Sequence, residues 1–179
     1  AVLAFARAAE ASADPTDSTR LGAALQAFNR PQEAIVAFRR ALEVAPDLVE
    51  ARAALGACLR QTGEPQRARA ELEQAVKLRP SDGRAWFALG LVCEDLRDTP
   101  GAIEAYRRSI EAQPDVPEAH VNLGLNLQNA GDLDAAVDSY RQAMRLRPDT
   151  FGRIAQALTS AKKGTLWLNS ARLRRMLEV

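Results

Sequence analysis

The stretch from residue 83 to residue 116 decides the fold, and it reads GRAWFALGLVCEDLRDTPGAIEAYRRSIEAQPDV. In both halves its apolar side chains recur every three or four residues, which is the spacing of one face of an α-helix. Between the halves lies a polar stretch around Arg97 and Pro100, where one helix can end and another begin. The stretch therefore predicts a helix, a short turn and a second helix.

This pattern recurs along the chain with a period of 34 residues. Four columns keep the spacing: a Leu-Gly pair, an alanine, an aromatic residue or leucine, and a proline. The columns are Leu21-Gly22, Leu55-Gly56, Leu89-Gly90 and Leu123-Gly124; Ala34, Ala68, Ala102 and Ala136; Phe38, Leu72, Tyr106 and Tyr140; and Pro46, Pro80, Pro114 and Pro148. A period of this length indicates stacked helix pairs, in which each pair buries its apolar face against its neighbours.

The turn inside each pair has its own column of residues. Asn29, Gly63 and Gly131 tolerate the left-handed backbone conformation that commonly ends a helix, and Arg97 is the exception at the matching place. Asp132 lies where the last of these second helices begins. We expect it to cap that helix rather than to bind calcium, because the sequence around it lacks the glycine and the distal glutamate of a calcium loop.

These residues resemble the tetratricopeptide repeat family. The family pattern of Trp, Leu-Gly, Ala, Tyr and Pro is matched by Trp86, Leu89-Gly90, Ala102, Tyr106 and Pro114, and residues 117–124 match it as well. The leading aromatic residue of the pattern is replaced by Ser18, Arg52 and His120 in the other repeats. The resemblance implies an all-α solenoid of helix-turn-helix repeats, a right-handed superhelix with capping helices at its C-terminus.

The period divides the chain into six segments. They are the second helix of a truncated repeat at 1–14, four repeats at 15–48, 49–82, 83–116 and 117–150, and a C-terminal cap at 151–179. In the cap, Ile154 is predicted to face inward and Arg153 outward. A repeat without its first helix exposes apolar surface, so we expect a fragment of a longer protein or a partner that covers the end.

Composition excludes several classes of function. The 179 residues are 47% hydrophobic and 26% charged with a net charge of +1, which fits a globular protein and gives no reason to expect nucleic-acid binding. Membrane spans, phosphate-binding loops and metal motifs are missing from the sequence. We therefore predict no enzyme activity, no cofactor and no metal. The two unpaired cysteines favour a cytoplasmic protein, and the Ala- and Arg-rich composition points to a bacterial source.

The few residues able to do chemistry are predicted to be structural. Cys58 and Cys93 lie in the first helices of adjacent repeats and are expected to be buried packing residues. The single histidine, His120, occupies the leading aromatic position and is expected to pack on a helix face.

Repeat geometry places the first helices along a concave groove, where such proteins usually bind a partner. We predict a peptide-binding or helix-binding wall of apolar residues with a polar rim in this groove. The wall is Phe87, Leu91, Val121 and Leu125, the rim is Arg84, Glu94, Asp95 and Glu118, and Asn122 is a further predicted groove residue. The alternative is that the C-terminal segment folds back and covers the wall.

The two-carboxylate clamp and the asparagine ladder known in this family are both excluded. Thr19, Ala23, Ala54, Arg84 and Ala88 stand at the clamp positions, and Asn122 alone matches a rung of the ladder.

The C-terminal part of the chain is basic. From residue 141 to the end there are nine basic and two acidic residues. The predicted docking surface within it consists of Lys162, Lys163, Arg172, Arg174 and Arg175. The competing interpretation is a solvated cap.

The sequence thus predicts a protein-interaction scaffold that binds a peptide or helix of another protein. Two alternatives stay open at this point. The chain is the accessory repeat region of a larger enzyme, such as a glycosyltransferase or sulfotransferase, or it assembles with copies of itself through the open N-terminal helix.

Overall fold

The computed structural model describes residues 2–11 and 14–160. Its helices are α1 Val2–Ala11, α2 Pro15–Ala27, α3 Pro31–Val44, α4 Val49–Gln61, α5 Pro65–Leu78, α6 Gly83–Asp95, α7 Thr99–Ala112, α8 Pro117–Ala130, α9 Leu133–Leu146 and α10 Phe151–Ser160, with a short 3-10 helix Pro148–Thr150. The described residues contain no strand, and the all-α prediction is confirmed.

Local chemistry sets where these helices begin. Asp82, Asp98 and Asp132 each accept a hydrogen bond from a backbone amide in the first turn of α6, α7 and α9, at 3.0 to 3.2 Å. The predicted capping role of Asp132 is confirmed. Proline stands in the first turn of α2, α3, α5, α7 and α8, where its missing amide hydrogen costs nothing.

The turns inside the helix pairs are left-handed, as the turn column predicts. Asn29, Gly63, Arg97 and Gly131 all have positive φ, at 56°, 80°, 58° and 93°. Arg97 therefore adopts the same conformation as the glycines, although its Cβ makes that conformation costly.

Within the described residues, the chain divides between Leu96 and Arg97 into two compact units, so the two helices of the predicted repeat 83–116 belong to different units. In the first unit each helix from α1 to α6 packs on the next, and α4 also contacts α2 and α6. In the second unit α8 packs on both α7 and α9, and the 3-10 helix connects α9 to α10. The repeat boundaries themselves stay a prediction.

The core includes the two columns that define the repeat on the second helices. The alanine column and the aromatic or leucine column are fully buried, with 0% exposure at every member. Ile154 of α10 is also at 0%, whereas Arg153 is exposed, as predicted for an amphipathic cap. The predicted basic surface, with Lys162, Lys163, Arg172, Arg174 and Arg175, lies outside the described residues.

Candidate binding surface

In the first unit, the first helix α4 carries small side chains, and the first helix of the next repeat, α6, carries larger apolar ones. Ala53, Ala54 and Ala57 of α4 are half-buried, and so are Phe87 and Leu91 of α6. Phe87 and Leu91 are four residues apart and therefore neighbours on one helix face. The small side chains of α4 leave its backbone accessible, and Phe87 and Leu91 present apolar surface on α6.

An ion pair lies at the C-terminal ends of α4 and α6. Arg60 Nε donates to Asp95 Oδ2 at 2.6 Å, which joins the last turns of α4 and α6. The two side chains line an open cavity of about 670 Å³ together with Ala57, Gln61, Gly63 and Pro65. Asp95, predicted as a rim residue, is thus held by an arginine of its own chain, while the rim residue Arg84 is exposed.

Amide side chains extend this chain of polar contacts toward α2. Gln61 donates from Nε2 to Asn29 Oδ1 at 2.8 Å. Together with the ion pair Arg60–Asp95, this bond links the turn after α2 to α4 and α6.

In the second unit, α8 is buried on most of its surface. Val121 is only 1% exposed, whereas Leu125 is half-buried. Asn122 is 8% exposed and donates to the hydroxyl of Tyr106 at 3.3 Å. Leu125 is therefore the predicted wall residue of α8 that retains accessible apolar surface.

A second buried hydrogen bond joins α8 to α9. Tyr140 donates from its hydroxyl to Gln128 Oε1 at 2.9 Å, and both side chains are buried. Burial raises the pKa of Tyr140 because the phenolate would lose its hydration. The buried amides Asn122 and Gln128 of α8 thus serve internal packing.

Two ion pairs repeat at the same register, and sequence analysis did not find them. Glu50 at the start of α4 accepts from Arg79 at the end of α5 at 2.6 Å, and Glu118 of α8 makes the same pair with Arg147. The hydrogen bond from Arg79 holds the pKa of Glu50 below its ordinary value. The rim residue Glu118 is therefore also engaged within its own chain.

A repeated side-chain hydrogen bond explains the variable leading position of the repeat. Arg52, Trp86 and His120 each place a side-chain nitrogen 2.8 to 3.0 Å from the carbonyl oxygen of the proline six residues earlier. The three side chains share an N–H donor and little else. His120 is 9% exposed, as its predicted packing role requires.

The described residues do not bring reactive side chains together in a cluster. No group of three metal-ligating side chains occurs in the part of the chain that the structure describes. Cys58 is 0% exposed, and burial raises the pKa of its thiol to about 11. Cys93 is buried as well. Both cysteines are packing residues, as predicted.

Three tetratricopeptide repeat profiles match the sequence, over residues 16–81, 59–117 and 117–150. The chain belongs to the tetratricopeptide repeat family. No curated protein matches the sequence.

Solved structures of tetratricopeptide repeat proteins are similar to this one. MamA is 25% identical with a TM-score of 0.77, covering 83% of this chain and 88% of its own. MamA 41-end from Desulfovibrio magneticus RS-1 is 26% identical with a TM-score of 0.70, covering 77% and 78%. YrrB, described as a TPR protein with an unusual peptide-binding site, is 20% identical with a TM-score of 0.79, covering 99% and 92%.

Family and neighbours together support a protein-interaction scaffold, and tetratricopeptide repeat proteins are typically non-enzymatic. Among the residues described, every helix is too short or too polar to cross a membrane. The predicted homo-oligomer stays a prediction, and Leu3 of α1 is 68% exposed.

Proposed function

We propose that the predicted concave groove of this tetratricopeptide repeat protein binds an extended or helical segment of another protein. The observation that carries the proposal is the pair of half-buried apolar side chains, Phe87 and Leu91, on one face of α6. Side chains that keep part of their apolar area in water can gain free energy when a partner covers that area. Leu125 is the corresponding candidate on α8.

The alanines of α4 support the same proposal. Ala53, Ala54 and Ala57 leave the helix surface low beside Phe87 and Leu91, so a partner backbone can approach without displacing large side chains. The exposed Arg84 lies one turn before Phe87 and adds a charge that sets the register of the partner. Apolar anchors then supply most of the affinity, and the rim supplies selectivity.

The test is an affinity capture from lysate with the wild-type chain and with the double variant Phe87→Ser, Leu91→Ser, read by mass spectrometry. The matched control carries Val36→Ser and Leu78→Ser, which removes apolar side chains that are 66% and 42% exposed on second helices. Circular dichroism and thermal unfolding of all three proteins show whether the fold is kept.

We expect a partner that the control retains and the double variant loses. For a purified partner the affinity should fall about 30-fold, since removing two anchors costs about 2 kcal/mol. Equal capture by the double variant, or equal loss in the control, would contradict the groove proposal.

A further inference from the structure

The helix α8 buries three amide side chains, and the other helices bury no amide side chain in the part of the chain that the structure describes. Asn122, Asn126 and Gln128 are 8%, 5% and 5% exposed. Asn126 donates within α8, from Nδ2 to the carbonyl oxygen of Asn122 at 2.9 Å. The side chains of Asn122 and Gln128 instead reach other helices. A buried amide is costly unless it is hydrogen-bonded, so these two side chains favour particular neighbours.

The neighbours are two tyrosines, one on each of the second helices that pack on α8. Asn122 Nδ2 donates to the hydroxyl of Tyr106 on α7 at 3.3 Å. The hydroxyl of Tyr140 on α9 donates to Gln128 Oε1 at 2.9 Å. Both tyrosines are fully buried, and a buried hydroxyl also favours a hydrogen-bonding neighbour. The helix α8 thus carries one amide for the hydroxyl of each flanking second helix.

The aromatic or leucine column distinguishes these two second helices from those of the first unit. Tyr106 and Tyr140 stand where α3 and α5 carry Phe38 and Leu72, which have no hydroxyl. The alanine column and the Leu-Gly pair are the same in all four repeats, so they do not distinguish one helix pair from another. Chains of similar repeats are prone to misassembly and to domain swapping.

We propose that the two hydroxyl–amide contacts are a recognition device, which selects α7 and α9 as the neighbours of α8 while the chain folds. Against α3 or α5, α8 would bury Asn122 or Gln128 beside a side chain that offers no hydrogen bond. Buried polar residues fix the register of helix interfaces in this way in coiled coils. The device lies in the second unit and shares no residue with Phe87 and Leu91, so it stands independently of the groove.

Double-mutant cycles test whether each amide matches one tyrosine. The matched cycles combine Asn122→Ala with Tyr106→Phe, and Gln128→Ala with Tyr140→Phe. The crossed cycles exchange the two tyrosines and serve as controls. Urea unfolding of the full chain is followed by the NMR amide signals of α7 to α9. We expect coupling of about three- to tenfold in the unfolding constant in each matched cycle, and of less than about twofold in the crossed cycles.

Refolding tests whether the contacts select the neighbours. The four-site variant Tyr106→Phe, Tyr140→Phe, Asn122→Ala, Gln128→Leu makes both contacts apolar, whereas the control Ile154→Val trims the core and keeps both. Each protein is refolded from urea at several concentrations and analysed by NMR and by size-exclusion chromatography with light scattering. We expect one set of α8 signals from the wild type and the control. The four-site variant should give additional sets, or a swapped oligomer whose fraction rises with concentration.

Two results would overturn the proposal. The first is the absence of coupling in the matched cycles, or equal coupling in the crossed cycles. The second is a four-site variant that refolds to the same single species as the wild type. If the four-site variant stays unfolded, the double variant Asn122→Ala, Tyr106→Phe takes its place, and a single refolded species then counts against the proposal.

Discussion

The ring of Phe38 occupies the space that a side chain at Gly22 would need. A Cβ built on Gly22 would stand 2.6 Å from Phe38 Cε1, far inside van der Waals contact. Gly124 stands in the same relation to Tyr140, and Gly56 to Leu72. Two columns that are 16 residues apart in the sequence are thus the two sides of one contact, which sets how closely the helices of a pair approach.

The first prediction compares one substitution at two glycines, Gly22→Ala and Gly152→Ala. Alanine favours a helix over glycine by about 1 kcal/mol at either place. At Gly22 the added methyl also overpacks the fully buried Phe38, at a cost of about 1 to 3 kcal/mol, while nothing lies within 4 Å of the Cβ position at Gly152. Urea unfolding followed by circular dichroism should show Gly22→Ala up to about 2 kcal/mol less stable and Gly152→Ala slightly more stable. The same sign for both variants would contradict this assignment.

Periodicity marked Gly22 and Phe38 as members of two columns that repeat at 34 residues, but the contact between them appears only in the structure. The same reasoning predicted the left-handed turns and the cap at Asp132, which depend on single residues and their neighbours. Helical period also assigns a residue to a face, as it did for Val121. The period does not show what packs over that face. Val121, a residue of the predicted wall, is only 1% exposed and is therefore buried.

The repeated hydrogen bonds of the leading residues could not be predicted from the sequence, for a different reason. The 34-residue period places Arg52, Trp86 and His120 at one position, but they differ in size, charge and hydropathy, so the period does not predict a shared contact. Their shared property is an N–H that reaches a carbonyl six residues earlier, and that geometry exists only once the helix is placed after the turn.

The second prediction concerns the left-handed arginine. Arg97 has a φ of 58°, a conformation that costs about 1 to 2 kcal/mol for a residue with a Cβ. Arg97→Gly removes this cost and adds back about 0.5 to 1 kcal/mol of unfolded-chain entropy, so we expect a gain of up to about 1.5 kcal/mol in stability. Gly131→Ala, at a φ of 93°, should lose about 1 kcal/mol. Denaturant unfolding of both variants measures the pair, and a destabilised Arg97→Gly would show that its side chain outweighs the strain.

The third prediction tests the donor at the leading position. His120→Leu removes the hydrogen bond to the carbonyl of Pro114, which is 3.0 Å away, and should cost about 1 to 2 kcal/mol because that carbonyl loses a partner. His120→Arg should recover part of the loss, since Arg52 makes the equivalent bond at 2.8 Å. Trp86→Phe keeps an aromatic side chain and removes the donor together with part of the indole, so in the first unit it tests the donor and the lost volume at once. In thermal unfolding, proteins that keep an N–H donor at this position should be more stable than those without one. Stability that follows side-chain size alone would refute the role of the bond.

The fourth prediction concerns the buried thiol of Cys58. Burial raises its pKa from an ordinary value of 9.0 to about 11, because the thiolate would be desolvated in the folded chain. The pKa of the Cys58 thiol is higher in the folded than in the unfolded chain. Its contribution to stability is therefore fully present below pH 9 and is lost as the pH rises from 9 toward 11. In a Cys93→Ala background, where Cys58 is the only thiol, we expect slow labelling by a disulfide reagent at pH 8 and rapid labelling in urea. Between pH 9 and 11 this protein should lose more stability than the same protein with Cys58→Ala, because the alanine cannot ionise while other groups titrate alike in both. Fast labelling of the folded chain at pH 8, or identical alkaline losses, would mean that the thiol is accessible to solvent.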